Sequence, residues 1–235
     1  MTIEVGWCIS EQTSSSVFFE PQASSIFTSN AHTSHSQGVS KCPAVHNSSN
    51  RLFTIKSPFT IKLKAIHIPD KKLLDIRPLY PDTEVEESRI PTLIAIEPRK
   101  LWLNLDTPIL QIKMPYVFCS DSPVWINQLE APSRRVMKSW SLIQGRFDIY
   151  SWQRPLNFAA QWFNINEDFY IKRGEPLFQI SFDSNESCND FKLRKIKMEG
   201  EIASRVKTCS GVTKLIQNTN DMINSNRDPK VKFLQ

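Results

Sequence analysis

Residues 158–182 decide the fold. They read Phe158-Ala159-Ala160-Gln161-Trp162-Phe163-Asn164-Ile165, then Phe169-Tyr170-Ile171, then Lys172-Arg173-Gly174-Glu175, then Leu177-Phe178-Gln179-Ile180-Ser181-Phe182. Apolar and polar residues alternate with the period of two that puts successive side chains on opposite faces of a strand. Gly174 is the lone glycine between two apolar runs, the place where a turn uses positive φ. This stretch predicts successive strands joined by short polar connections.

The same pattern extends upstream. Trp140–Ile143 and Phe147–Tyr150 read as strands, and so do Leu93–Ile96, Leu101–Leu105 and Ile109–Phe118. Pro115 removes a ladder donor and demotes part of the last run to an edge. Leu52, Phe53, Ile55, Phe59, Ile61 and Leu63 alternate with Thr54, Lys56, Thr60, Lys62 and Lys64, which predicts two strands broken near Ser57-Pro58. Residues 69–91, with Pro69, Pro78, Pro81 and Pro91 among many charges, predict a loop or an extended edge. Ile3, Val5 and Trp7 share one side of a short strand over 2–9, and Val17–Pro21 is a second short apolar run. Together these predict a mainly β protein: a single sandwich, jelly-roll or β-clip domain.

The flanks differ in composition. Residues 22–50 are rich in Ser, Thr, Asn, Gln and His, too polar to offset their ordering entropy, and predict a flexible loop. Ile202, Val206, Cys209, Val212 or Thr213, and Ile216 recur every three to four residues, which predicts an amphipathic helix over about 199–224, with Gly200 and Gly211 working against it. The expected organisation is short strands over 1–21, the polar loop over 22–50, a β core over 51–190 and a basic tail with the helix over 191–235. Six Gly and 15 Pro among 235 residues argue against Gly-rich phosphate loops and long helices.

Charge is segregated. The chain carries a net +5, but residues 192–235 hold 10 Lys/Arg against 4 Asp/Glu, a net +6, while the rest holds 19 against 20. The densest cluster, with Lys192, Arg194, Lys195 and Lys197, suits contact with an acidic protein or nucleic acid; equally, charge on an edge strand guards against aggregation. Arg134, Arg135 and Lys138 near Trp140 and Trp152 suit base stacking, or simply rim an aromatic core.

No run is long and apolar enough to span a bilayer, and Met1–Val5 lacks the features of a signal peptide, so the expected location is the cytoplasm without a membrane partner. Cys8, Cys42, Cys119, Cys188 and Cys209 are odd in number and irregularly spaced, and are expected to be thiols. His32, His35, Cys42 and His46 are the one metal-like set, but their irregular spacing in a polar stretch reads as loop, so no metal is expected. His67-Ile68-Pro69-Asp70 reads as a strand end with a turn. Neither a nucleophile set nor a dinucleotide or P-loop fingerprint occurs, and no cofactor is expected.

Two resemblances follow from short motifs. Lys41-Cys42-Pro43-Ala44 with Phe53–Phe59, and Trp152-Gln153-Arg154-Pro155-Leu156 with Ile171–Leu177, resemble an uncharacterised family of tailed phages of cyanobacteria and of some bacteria, over residues 41 to 183. That resemblance implies a phage-type origin and no activity. Ala160–Ile165 with Phe169–Ile180 is similar to the last strand pair of the dUTPase and dCTP-deaminase β-clip, and Gly145–Tyr150 is similar to their substrate loop. This implies a ligand pocket holding Asp148, Tyr150 and Arg154 at a subunit interface. The Arg-Ser-Gly-Leu phosphate element and the Gly-rich closing arm of those enzymes are missing, and Glu175-Pro176 replaces their Asp-Arg. The expected function is therefore a non-enzymatic binding or assembly protein of accessory type, with a homo-oligomer among its expected states. The alternatives are a diverged dUTPase-like nucleotide protein and a virion or tail component.

Overall fold

The computed structural model describes residues 2–10, 18–24, 51–68, 73–104, 106–131, 138–185, 190–211, 221–224, 226 and 232–234. The protein is mainly β, with 45% strand and 15% helix. Its strands are β1 (Thr2–Ile9), β2 (Gln22–Ala23), β3 (Leu52–Lys56), β4 (Ile61–Ile68), β5 (Leu73–Pro78), β6 (Ile94–Ile96), β7 (Ile109–Ile112) and β8 (Tyr116–Cys119). They continue with β9 (Val124–Glu130), β10 (Trp140–Leu142), β11 (Gly145–Asp148), β12 (Phe158–Trp162), β13 (Phe169–Ile171), β14 (Pro176–Ser184) and β15 (Asp190–Lys195). A C-terminal helix covers Gly200–Gly211.

The strands form sheets in the orders β15-β1-β8, β10-β12-β7-β6, β11-β9-β14-β3-β2 and β13-β4-β5. Pairing is antiparallel except between β1 and β15, which run parallel with Ile3 opposite Phe191. The sheets close on one apolar core, as in a sandwich, with Trp162, Tyr116, Phe158, Phe169, Phe178 and Phe182 fully buried. Aromatic contacts run through it. Trp140 meets Phe158 edge-on at 5.3 Å, Phe158 stacks on Phe178 at 5.9 Å, and Phe182 meets Phe53 at 5.7 Å and Phe191 at 5.6 Å. Each ring buries a large area, and these geometries add about 0.5–1.5 kcal/mol per pair.

The deciding stretch folds as its alternation requires. Phe158, Ala160 and Trp162 face the core from β12, Phe169 and Ile171 do so from β13, and Gly174 turns at φ +78° with its N–H on Ser57 O. Elsewhere three expectations need correction. Leu101–Leu105 does not form a strand: Arg99–Leu101 is a 3-10 turn, residues 102–104 bend, and Leu105 lies outside the described residues. The Trp102 indole donates to Glu97 O at 2.7 Å and Asn104 Oδ1 accepts from Asp106 N and from the Thr107 hydroxyl, so local side-chain bonds compete with a ladder. Residues 18–21 are irregular, and the short strand falls on Gln22–Ala23, inside the stretch expected to be loop; the Tyr116 hydroxyl donates to Phe19 O, and Pro21 has no donor. Ile109–Phe118 splits at 113–115 into β7 and β8, which belong to different sheets. The proline does not merely weaken one strand; it hands the chain between two.

The helix starts close to where its apolar period predicts. Gly200–Gly211 is helical, residues 212–220 lie outside the described residues, and 221–224 are again helical. Its apolar stripe docks on the protein's own sheet: Ile202 and Val206 pack against Cys8, Val117 and Cys119. Cys8, Cys119 and Cys209 are buried free thiols. Cys42 and Cys188, the set His32, His35, Cys42 and His46, and Arg134 and Arg135 lie outside the described residues, as does the rest of the expected loop from Ser25 to Asn50. Among the described residues no helix is long and apolar enough to cross a membrane.

Candidate functional site

A pocket of about 200 Å³ opens where β9 and β11 meet the segment 149–157. Its floor follows from register. Gly145 pairs with Gln128 and Phe147 with Ile126, so all four share one face of the sheet. A Cβ on Gly145 would stand 2.8 Å from the Phe147 ring, so glycine here lets that ring lie back across its own strand.

The wall is built by a sharp chain reversal after β11. The Asp148 carboxylate accepts the N–H groups of Tyr150 at 3.0 Å and Ser151 at 3.2 Å, and also the Ser151 hydroxyl. Trp152 N donates to Asp148 O at 3.0 Å. The buried amide of Gln153 locks the reversal by donating to Ile149 O at 3.0 Å and Tyr150 O at 2.7 Å. Trp152 is thereby folded back on Phe147, with ring centroids 5.8 Å apart. The chain is then fastened to β8, with Pro155 bridging Val117 and Leu156 N on Tyr116 O.

Arg154 completes the wall. Its guanidinium lies over the Trp152 ring at 5.1 Å. Burial pushes its pKa down, an effect opposed by the nearby Cys209 sulfur, and a guanidinium stays charged regardless. Among the described residues it has neither a carboxylate in ion-pair range nor a hydrogen-bond acceptor. Gln128, 2% exposed, spends its Nε2 on Asn157 O at 3.1 Å, and its Oε1 accepts nothing among the described residues. Gln111 and Gln144 also line the pocket, whose remaining surface is mostly apolar.

Of the three residues expected to form a pocket, only Arg154 lines it. Asp148 is a turn-former whose oxygens are taken by backbone and Ser151, and Tyr150 is half-buried outside the lining. Sequence reading missed Gln128. Its signal lies in Val124-x-Ile126-x-Gln128, where an amide stands at a position whose alternation faces inward.

The basic cluster is split by β15. Register places Lys192 opposite Glu4 and Arg194 opposite Gly6, on the helix-covered side, while Lys195 lies opposite Trp7 on the core side. Arg194 pairs with Glu4 at 3.6 Å and donates to Leu234 O at 2.7 Å; Lys195 pairs with Glu20 at 2.8 Å and lies over Trp7. Arg194, Lys195 and Lys197 line a more open groove with Lys232, Phe233, Glu199 and Glu201, and Lys192 is exposed outside it. Lys138, near Trp140, is held by Glu130 at 2.8 Å.

No family model, no curated protein and no solved structure matches this chain. The site is therefore read from its own geometry. Its polar groups are amides and one guanidinium, which recognise and orient; the apolar walls supply affinity. Concave, largely apolar sites with a few directed polar groups are the usual form of small-molecule binding sites.

Proposed function

We propose that this is a non-enzymatic binding protein whose ligand occupies the pocket between β9, β11 and residues 149–157. One observation carries the reading: a half-buried guanidinium, without a partner among the described residues, in a mostly apolar pocket beside Trp152. Burying a charge without a counter-ion costs stability, and a ligand that supplies the counter-ion recovers it. The resemblance to uncharacterised phage families supports an accessory role and adds no chemistry.

The nucleotide-protein reading has less support, because Asp148 is used up in the chain reversal and Tyr150 stands outside the lining. The test is a pocket-filling substitution. Ala159 lines the pocket at half burial, and Ala159→Leu adds bulk there. A neutral, environment-sensitive fluorescent probe is expected to bind the unaltered protein and to lose binding in Ala159→Leu, with the melting temperature unchanged. Equal binding by both proteins would place the ligand elsewhere.

A further inference from the structure

Resting on that reading, we infer that the pocket takes a single-ring aromatic carboxylate, its ring against Phe147 and Trp152 and its carboxylate on Arg154.

Size sets the first limit. A dry cavity of roughly 150 Å³ holds benzene. The pocket's 200 Å³ admits one ring and a short arm, and is smaller than the ~300–1,000 Å³ of drug-sized sites. A fused-ring nucleotide with its phosphates exceeds it.

Shape and polarity set the second. Phe147 and Trp152 pack directly on each other, with ring centroids 5.8 Å apart and planes inclined at 50°, and so form one continuous aromatic wall against which a ligand ring can lie offset or edge-on. Phe118, Ile126, Ile143, Ile149 and Leu156 close the remaining sides with carbon. Such a lining favours an apolar body.

Charge sets the third. Among the described residues, Arg154 is the one charged residue in the lining, which includes no carboxylate. The guanidinium is a planar fork of donors that matches a carboxylate in two parallel hydrogen bonds. Its contact with the Trp152 face, 5.1 Å from the ring centroid, holds the guanidinium at the pocket wall in advance, so less rotamer entropy remains to be lost on binding. The amides of Gln111 and Gln144, lining the same pocket and without partners among the described residues, add neutral donors.

Calorimetry on the full chain compares 3-phenylpropionate with 3-phenylpropionamide, which share ring, arm length and shape but differ in charge. The acid is expected to bind about tenfold or more tightly than the amide, the scale of a hydrogen bond to a charged group. Arg154→Met keeps the stem over Trp152 and removes the fork; acid and amide should then bind alike. Arg154→Lys returns a point charge without the fork and should recover part of the preference. Equal binding of acid and amide by the unaltered protein, with both lost in Ala159→Leu, would overturn the carboxylate inference and leave the binding pocket standing. Binding of neither compound would overturn both. A preference for the acid that survives Arg154→Met would place the anion on another cation and also overturn the inference.

Discussion

The two sides of β8 meet opposite fates. On one, Val117 and Cys119 lie with Cys8 beneath Ile202, Val206 and Phe233, so the protein covers its own apolar face with its own C-terminal residues. On the other, Phe118 borders the pocket, where segment 149–157 arches over β9 and β11 and leaves a hollow. The covered side carries thiols and aliphatic groups, which gain only from being buried. The hollow side carries amides and a guanidinium, which lose by burial unless something binds them. Burial without polar groups signals stability; burial that strands polar groups signals a ligand.

The largest expected effect breaks this comparison from the covered side. Truncation after Asp190 removes nearly all of β15 and the helix, and uncovers Cys8, Val117 and Cys119 together. The loss of a sheet edge and of one apolar layer is comparable to the ~5–15 kcal/mol that holds a native domain together, so the shortened chain should lose its cooperative melting transition. A transition preserved at the same temperature would show that the helix covers nothing of consequence.

Alkaline titration sharpens the comparison. Burial pushes the Cys8 thiol up from 9.0 to about 12, and the Cys119 thiol is raised in the same direction. A thiol whose folded pKa exceeds its unfolded value contributes stability that is complete below about pH 9 and drains away as the pH climbs toward the folded value. Each such thiol should cost about 1.4 kcal/mol per pH unit across that window. Denaturant midpoints measured from pH 8 to 11 should fall, and Cys8→Ala should remove one thiol's share of the slope. Midpoints that stay level would mean that the covered side admits hydroxide or water.

The smallest effect comes from a position on neither side. Gly174 sits at φ +78°, and among the described residues an added Cβ would meet only Phe19, at 3.8 Å. The space is open, so only the backbone conformation is strained, and Gly174→Ala should cost about 1–2 kcal/mol. Thermal unfolding checks the size, and probe binding should be unaffected. A cost well above this would mean that the turn supports more of the sheet than its hydrogen bond to Ser57 implies.

Much of the fold was legible because alternation and burial agree: Phe158, Ala160 and Trp162 face inward as written, and so do Ile3, Val5 and Trp7. The Gly174 turn was legible because one residue type suits its φ. Leu101–Leu105 misled because its alternation is real but finds no neighbouring strand; Leu103 is left 76% exposed. The site was legible only at Arg154. Asp148 reads equally as a ligand-binding carboxylate or as a turn-former, and what decides between them is whether Ser151 and two N–H groups fold back to it, a matter of backbone path. The pocket itself depends on register between β9 and β11, which no single strand records.

The parallel pairing of β1 with β15 has a consequence for synthesis. Thr2 must wait for Asp190 before that ladder can form. At ~5–20 residues per second the interval is on the order of 10–40 s, and β8 can pair with β1 well before it ends. From the synthesis of β8 until the helix emerges, the nascent chain carries Cys8, Val117 and Cys119 bare, an adhesive stripe waiting for a lid that the ribosome has not yet made.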